Sequence, residues 1–374
     1  MRNDEWRLLD LKLSSYAAGT PMASTLLTLK AEEKIPNTLG LVTFERPSAC
    51  LFYYNDPEKE LDLDFCRQES IEIGRRDTGG SPYWADPGTL IVYIWFNRKQ
   101  VPGFPETIAE AYRFLIGASA QAISERFGIP AVYRPLNDLE VRGRKVAGHT
   151  LTFLGNACRW GCGPQVLKPR MDLMSRALKV PPEKFSDKQA KTVEARVTNF
   201  EELLDRTPSL EEMKQTYISA LERAMKIHFQ RGDFFPEEKQ LIGEQRARIF
   251  SEDWLMAMTE RRKFGVPLHA GWARGEYALK VPQGPLIRAI VLTDGKIIRN
   301  ISLTGSIHCI PVRLVEEMEA GIRGMEAREE PVSEVIRKLF LRPGVQVAGC
   351  APENFVQAIL TAFEKAKKPI EVSP

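Results

Sequence analysis

Cysteine is scarce: there are six in 374 residues. Cys50, Cys66, Cys158, Cys162, Cys309 and Cys350 are scattered, which excludes a disulfide scaffold and fits thiols in a reducing compartment. No apolar run approaches the roughly eighteen residues that a transmembrane helix needs, so no membrane association is expected. The opening stretch, MRNDEWRLLD, is charged and lacks the apolar core of a secretory signal, so a cytoplasmic location is expected. An excess of one charge sign is also missing. Lys plus Arg number 52 against 49 Asp plus Glu, a net +3. That is too mild for a dedicated nucleic-acid binder. Internal repeats and low-complexity stretches are absent. What remains is 43% hydrophobic and 27% charged residues, the balance of a globular protein long enough for a large core and more than one domain.

The residue patterns predict an α+β fold. LGLVTF and TLIVYIWF are β-branched and aromatic runs bounded by turn residues, and read as strands. Over 106–127, apolar residues recur at three and four, and Gly128-Ile129-Pro130 stops the helix they predict. DLEVRGRKVAG alternates like a strand pair turning at Arg142-Gly143. Ser209 and Glu212 have the capping-box spacing before a helix, and a further charged helix is expected from Pro236. Gly, Pro and Trp then interrupt the helical signal, placing a boundary between residues 1–260 and a compact unit over 270–374. In that unit, LIRAIVL-TDG-KIIRNISL is a hairpin signal. Two helices are expected after it, one carrying Val315, Met318, Ile322 and Met325, the other Phe355, Ile359 and Phe363.

Two stretches could carry chemistry. GRRDTGGSPYWADPGT, residues 74–89, concentrates two arginines, a Gly pair and an Asp-Pro-Gly turn between two strands. A Gly-Gly turn exposes backbone N–H groups that can cradle an anion. A surface hairpin turn is the plain alternative. If the strand continues, Arg75 and Arg76 alternate, one inward and one toward solvent. The second stretch sets Lys145 between Gly143 and Gly148, where glycine lets backbone approach a bound phosphate or carboxylate. A solvated strand lysine is the commoner case.

Taken in order, RRDTGG (Arg75 to Gly80), NDL (Asn137 to Leu139) and KVAG (Lys145 to Gly148) resemble the lipoate–protein ligase A family of the biotin/lipoate ligase superfamily. LKVPPEKFSDKQAKTVEARVTN agrees, through Pro182, Lys184, Lys191, Val193, Arg196, Val197, Thr198 and Asn199. So do the opening WRLLD with MASTLLTLK and the C-terminal DGKI hairpin. The resemblance covers nearly the whole chain. It implies a mixed-sheet catalytic domain over 1–260, including a helical segment 200–260, and a small α/β accessory domain over 270–374. It also implies an enzyme that uses ATP and Mg²⁺ to convert lipoate or octanoate to an acyl-adenylate. The acyl group then passes to a lysine of an apo lipoyl domain of a 2-oxoacid dehydrogenase, a glycine-cleavage H-protein or a lipoate-binding carrier.

Residue by residue, the resemblance implies Lys145 as the catalytic lysine, stabilising charge that builds between carboxylate and α-phosphate. ATP would be held by Arg76, Gly79, Gly80, Ser81, Pro82, Tyr83, Trp84, Asn137, Asp138 and Lys145. Lipoate would be held by Arg75, Lys145, Gly148 and His149, and Asp138 would orient magnesium or nucleotide. The accessory domain is expected to swing about RRKFGVPLHAG, residues 261–271. The basic middle segment (Lys184, Lys188, Lys191, Arg196) is a candidate face for an acidic acceptor.

Departures from the family pattern cluster near the site. Ser81 stands for a third glycine, Pro82 for an alanine and Ala85 for a histidine. Phe52 and Asn55 occupy the glycine and glutamine positions of a GxxQ stretch, and His149 replaces a serine. Three alternatives follow. An octanoyltransferase would use a cysteine nucleophile, which its ligase-like branch carries near Val132-Tyr133; no cysteine is there, leaving Cys158 and Cys162 as candidates. A biotin ligase would need a GRGRxGR loop, which is absent. A non-catalytic lipoyl-domain binder is the third, and Lys145 argues against it.

Overall fold

The structure is a computed structural model that describes residues 5–179, 193–265 and 271–366. Its centre is a mixed sheet in the order β11-β1-β2-β6-β10-β9-β8-β7. The strands are β1 (Glu5–Leu13), β2 (Thr38–Phe44), β6 (Ile91–Asn97), β7 (Ala131–Arg134), β8 (Asp138–Val141), β9 (Arg144–Leu154), β10 (Ala157–Pro164) and β11 (His228–Arg231). β1 runs parallel to β2 and β11, and the remaining pairs are antiparallel. A smaller sheet, β4-β3-β5, carries β3 (Ser48–Leu51), β4 (Glu72–Arg75) and β5 (Tyr83–Ala85).

Alternation along the central strands splits the core in two. Val92, Ile94, Phe96, Cys158, Trp160 and Cys162 face the helices Ile108–Phe127 and Leu210–Met225. Ile91, Tyr93 and Trp95 face the opposite side and the helix Thr20–Ala31. The helix expected over 106–127 forms because Thr107 caps its first turn and Gly128, at φ 66°, ends it in the left-handed region. Ser209 caps the next helix by accepting from the Glu212 amide. The Glu212 carboxylate, however, turns to Arg206 and Arg126, so only half of the expected capping box forms.

The β8–β9 hairpin turns at Arg142 and Gly143, both at positive φ. Gly143 therefore serves the turn and not the approach of a ligand.

The C-terminal residues build a sheet of β12 (Ala273–Lys280), β13 (Leu286–Thr293) and β14 (Ile298–Gly305), joined by the short pair β15 (Cys309–Ile310) and β16 (Gln346–Val347). Three helices accompany it: Leu314–Ile322, Glu329–Phe340 and Pro352–Glu364. The middle one was not expected. Its first turn holds Pro331, which costs nothing where an N–H has no helical partner but reads as a breaker in sequence. Met325 lies beyond the end of the first helix.

This unit has its own apolar core, and Tyr53 and Tyr54, far earlier in the chain, are buried within it together with Met258. Tyr53 donates to Glu316 at 2.9 Å, Tyr54 donates to the Val312 carbonyl, and Asn55 donates to the Gly305 carbonyl at 3.0 Å. The FYYND stretch that departs from the Gly-rich pattern is thus a clasp for the C-terminal unit. Of the expected hinge, residues 266–270 lie outside the described residues, as do Pro182, Lys184, Lys188 and Lys191.

Candidate active site

The site lies on the face of the central sheet where β9 and β10 carry glycine. Gly148 on β9 and Gly161 and Gly163 on β10 point to one side, and their chain neighbours His149 and Cys162, paired with each other across the two strands, point to the other. Each glycine makes room for a side chain. A Cβ on Gly148 would sit 2.9 Å from Lys145 Nζ, one on Gly161 2.8 Å from the Tyr93 ring, and one on Gly163 would overlap the Tyr83 hydroxyl. The glycine beside Lys145 therefore admits the lysine's own ammonium.

Two cavities meet at Lys145. The first includes Tyr16, Phe52, Arg76, Tyr93, Asn137, Asp138, Lys145 and His149, and the C-terminal unit closes it with Leu286, Ser306 and His308. The second is more apolar, with Trp84, Val146, Ala147, Met174, Leu178 and Val197. Ser81, Pro82, Tyr83, Asp138, Lys145, Gly148 and Arg196 line both.

Charge is concentrated at that junction. Lys145 Nζ lies 2.6 Å from one Asp138 oxygen, and Arg196 Nη2 lies 2.8 Å from the other. Arg196 also reaches Glu140 at 2.6 Å. It is 7% exposed, so it belongs to the site and not to a docking face. Both Asp138 carboxylate oxygens are thus paired with cations. No group of three or more metal-ligating side chains occurs among the described residues.

Arg76 is 2% exposed and boxed by the rings of Tyr16, Phe52 and Tyr93 at 5.7, 5.3 and 5.3 Å. One nitrogen donates to the Tyr16 hydroxyl. Its Nε and Nη2 are buried and have no hydrogen-bond partner among the described residues. Buried donors are ordinarily paired, so these two N–H groups mark a place for an anion. Arg76→Met keeps the bulk and removes the donors. It should lower kcat/KM by about 10²-fold and leave the melting temperature unchanged or higher, since a buried charge is costly to hold. Activity assays and thermal melts of the pair check this.

Arg75 is a correction to the expected lipoate contacts. It is 1% exposed and donates to the carbonyls of Phe52, Tyr53 and Leu255. It fastens two segments, and neither it nor its neighbour faces solvent. Gly79 is a second correction. A Cβ there would overlap the Ile307 carbonyl and stand 3.1 Å from the His308 Cα, so Gly79 seats the C-terminal unit and lines neither cavity. Gly80, with φ +154°, faces the Phe52 ring, 2.5 Å from where its Cβ would be. Trp84 lines only the second cavity and donates to Asp86 at 3.1 Å.

His149 stacks on Trp160 with ring centroids 5.4 Å apart, and its Nδ1 lies 2.9 Å from the Asn137 carbonyl. Burial pushes its imidazole down to about 4, and the Lys145 ammonium adds to the effect. His308 is pushed down to about 4 for the same reasons. Both are neutral at pH 7.

Sequence reasoning missed Tyr16, Tyr93, Gly161, Gly163, Ser306 and His308. The alternating G-C-G at 161–163 is a readable sign of a bare sheet face. Nothing local marks Ser306 or His308, which arrive with the C-terminal unit.

Comparison with known proteins bears on this geometry. The family model for the lipoyl protein ligase A/B catalytic domain matches residues 16–222, more than half of the chain. Octanoyltransferase LipM of Geobacillus kaustophilus is 24% identical, covering 68% of this chain and 99% of its own. Among solved structures, an archaeal bi-partite lipoate protein ligase from Thermoplasma acidophilum, studied with its E2 lipoyl domain, is 25% identical. Its TM-score is 0.58 over 68% of this chain and 98% of that one. LipL1 of P. falciparum in complex with lipoate is 12% identical and shares the fold, with TM-score 0.67 over 94% of this chain and 97% of that one. Among the described residues no helix is long and apolar enough to cross a membrane.

Proposed function

The chain belongs to the lipoyl protein ligase A/B catalytic-domain family, and from that premise we propose that it is an ATP-dependent lipoate–protein ligase. Lipoate or octanoate is activated as an acyl-adenylate with release of pyrophosphate. The acyl group then passes to a lysine of an apo lipoyl domain, H-protein or carrier, and AMP departs. Residues 1–260 act as the catalytic body and 270–374 as the accessory unit.

The observation that carries this reading is the buried, partly unpartnered Arg76 sharing one cavity with Lys145. Attack of a carboxylate on an α-phosphate gathers negative charge on both groups. Two fixed cations, one with unused donors, stabilise that charge more as it grows. Asp138, itself paired with Arg196, holds the Lys145 ammonium at the junction of the two cavities, so that acyl group and nucleotide can meet there.

Octanoyl transfer through a cysteine is the second reading, favoured by the LipM likeness. The thiols argue against it. β7, where that branch carries its nucleophile, reads Ala131-Val132-Tyr133-Arg134 and has none. Cys162 touches the cavity lining but turns into the core packed by Tyr217, opposite the glycine face. Burial pushes the Cys158 and Cys162 thiols well up, away from the reactive thiolate.

The test is intact mass of an apo lipoyl domain incubated with the chain, lipoate, ATP and Mg²⁺. The reading expects a lipoyl mass gain that requires ATP. Cys158→Ser and Cys162→Ser should each retain activity within about tenfold, whereas loss of a true nucleophile costs several orders of magnitude. ATP-independent transfer from octanoyl carrier protein, abolished by Cys162→Ser, would replace the ligase with the transferase.

A further inference from the structure

Lys145 carries its charge on a flexible four-carbon stem, and its side chain is only partly buried. For the ammonium to act where two substrates meet, it must be held there. The hold begins at Asp138 Oδ1, 2.6 Å away. A carboxylate gripped by one oxygen still turns about its last torsion, which is broad for Asp. Here the second oxygen lies 2.8 Å from Arg196 Nη2, so the carboxylate is held at both ends.

Arg196 is fixed in turn. Its Nη2 lies 2.6 Å from Glu140 Oε1, and Glu140 is 3.4 Å from Arg134 Nη1. Arg196 and Glu140 are both buried, so salt screens their pairing little. The backbone that delivers Arg196 is stitched to the strand that carries Lys145. The Thr198 amide donates to the Lys145 carbonyl at 2.8 Å, and Val197 pairs with Lys145 in a parallel bridge. Arg144 Nη2 donates to the Val197 carbonyl at 2.6 Å. Two further links, from the Phe200 amide to the Gln165 carbonyl and from the Glu201 amide to the Val166 carbonyl, are 3.0 Å each and tie the same segment down just past β10.

We propose that Arg196 is a positioning residue, which fixes the Lys145 ammonium through Asp138 in the geometry that adenylation needs; this rests on the ligase reading above. The RVTN run thereby has two tasks. Its backbone binds the lysine's strand, and its arginine binds the lysine's carboxylate partner. Arg196 Nη1 has no hydrogen-bond partner among the described residues. Direct contact of that N–H with the substrate's anion is therefore the rival that the test must separate.

The test is a double-mutant cycle on pyrophosphate release with lipoate and ATP. Arg196→Met is made alone and together with Glu140→Gln, because a buried Glu140 stripped of its partner costs stability. In the variant that keeps the wild-type melting temperature, kcat should fall about 10²-fold, the effect of displacing a reacting group by about an ångström, with KM for ATP little changed. Asp138→Asn should cost a similar factor. Adding Arg196→Met to it should cost little more, since residues that act through one another are not additive. Additive losses, or a raised KM for ATP with kcat kept, would overturn the proposal and make Arg196 a direct ligand of the nucleotide. Wild-type kcat in the folded variants would overturn it too. A wild-type chain that releases no pyrophosphate with lipoate or octanoate would overturn the ligase reading and this inference with it.

Discussion

Lys145→Ala is expected to remove adenylation and transfer together, by at least about 10³-fold, because a fixed charge at the reacting centre is usually the largest single contribution to catalysis. The variant should still fold. Lys145 is 30% exposed at its side chain, and Asp138 keeps Arg196 as a partner at 2.8 Å. Pyrophosphate release and intact mass of the acceptor read the two steps, and circular dichroism checks the fold. Lys145→Arg should recover little. Its planar guanidinium differs in size and shape from the compact ammonium that packs against Gly148 and pairs with Asp138. Pyrophosphate release at the wild-type rate in the alanine variant would remove Lys145 from the reacting centre.

Gly79→Ala should have the largest structural effect of any one-carbon change at the site. The added methyl meets the Ile307 carbonyl, a backbone atom that cannot swing aside as a side chain would. Overpacking of this kind costs about 1–3 kcal/mol. Here it falls on the contact that joins the RRDTGG loop to the C-terminal unit. The unit should loosen, cleavage by a protease should appear near residues 261–271, and activity should fall with it. By contrast, Gly143→Ala strains a turn at φ 76° with nothing within 4 Å of the new methyl. It should cost less and leave the unit in place. Limited proteolysis and thermal melts of the two variants side by side decide the matter. Equal resistance to protease in both would mean that Gly79 does not fasten the unit.

The two variants also separate the roles that glycine plays in this chain. Gly143 is there for backbone conformation, Gly79 for backbone contact, and Gly148, Gly161 and Gly163 for the side chains laid over them.

How much of this was legible in the sequence depends on distance along the chain. Periodicity and capping residues gave the 108–127 and 210–225 helices, the β8–β9 turn and the β13–β14 hairpin, because each is decided by neighbours within a few positions. Resemblance of three ordered motifs gave the family, the mixed-sheet fold and the grouping of Arg76, Asp138 and Lys145. Local pattern failed where a residue answers to a distant partner. Arg75 and Arg76 are adjacent and chemically identical, yet one is used up by carbonyls and the other keeps two donors for the cavity. Phe52 and Asn55 read as departures near the site, and Tyr53 and Tyr54 between them prove to belong to the core of the C-terminal unit. His308 has no motif around it, and it shares a cavity with Lys145 only because that unit docks there. The sequence by itself determined which elements form and which family they build. The tertiary structure alone decided which charges stay unpaired and which residues close the cavity, because burial and pairing depend on atoms brought together from opposite ends of the chain.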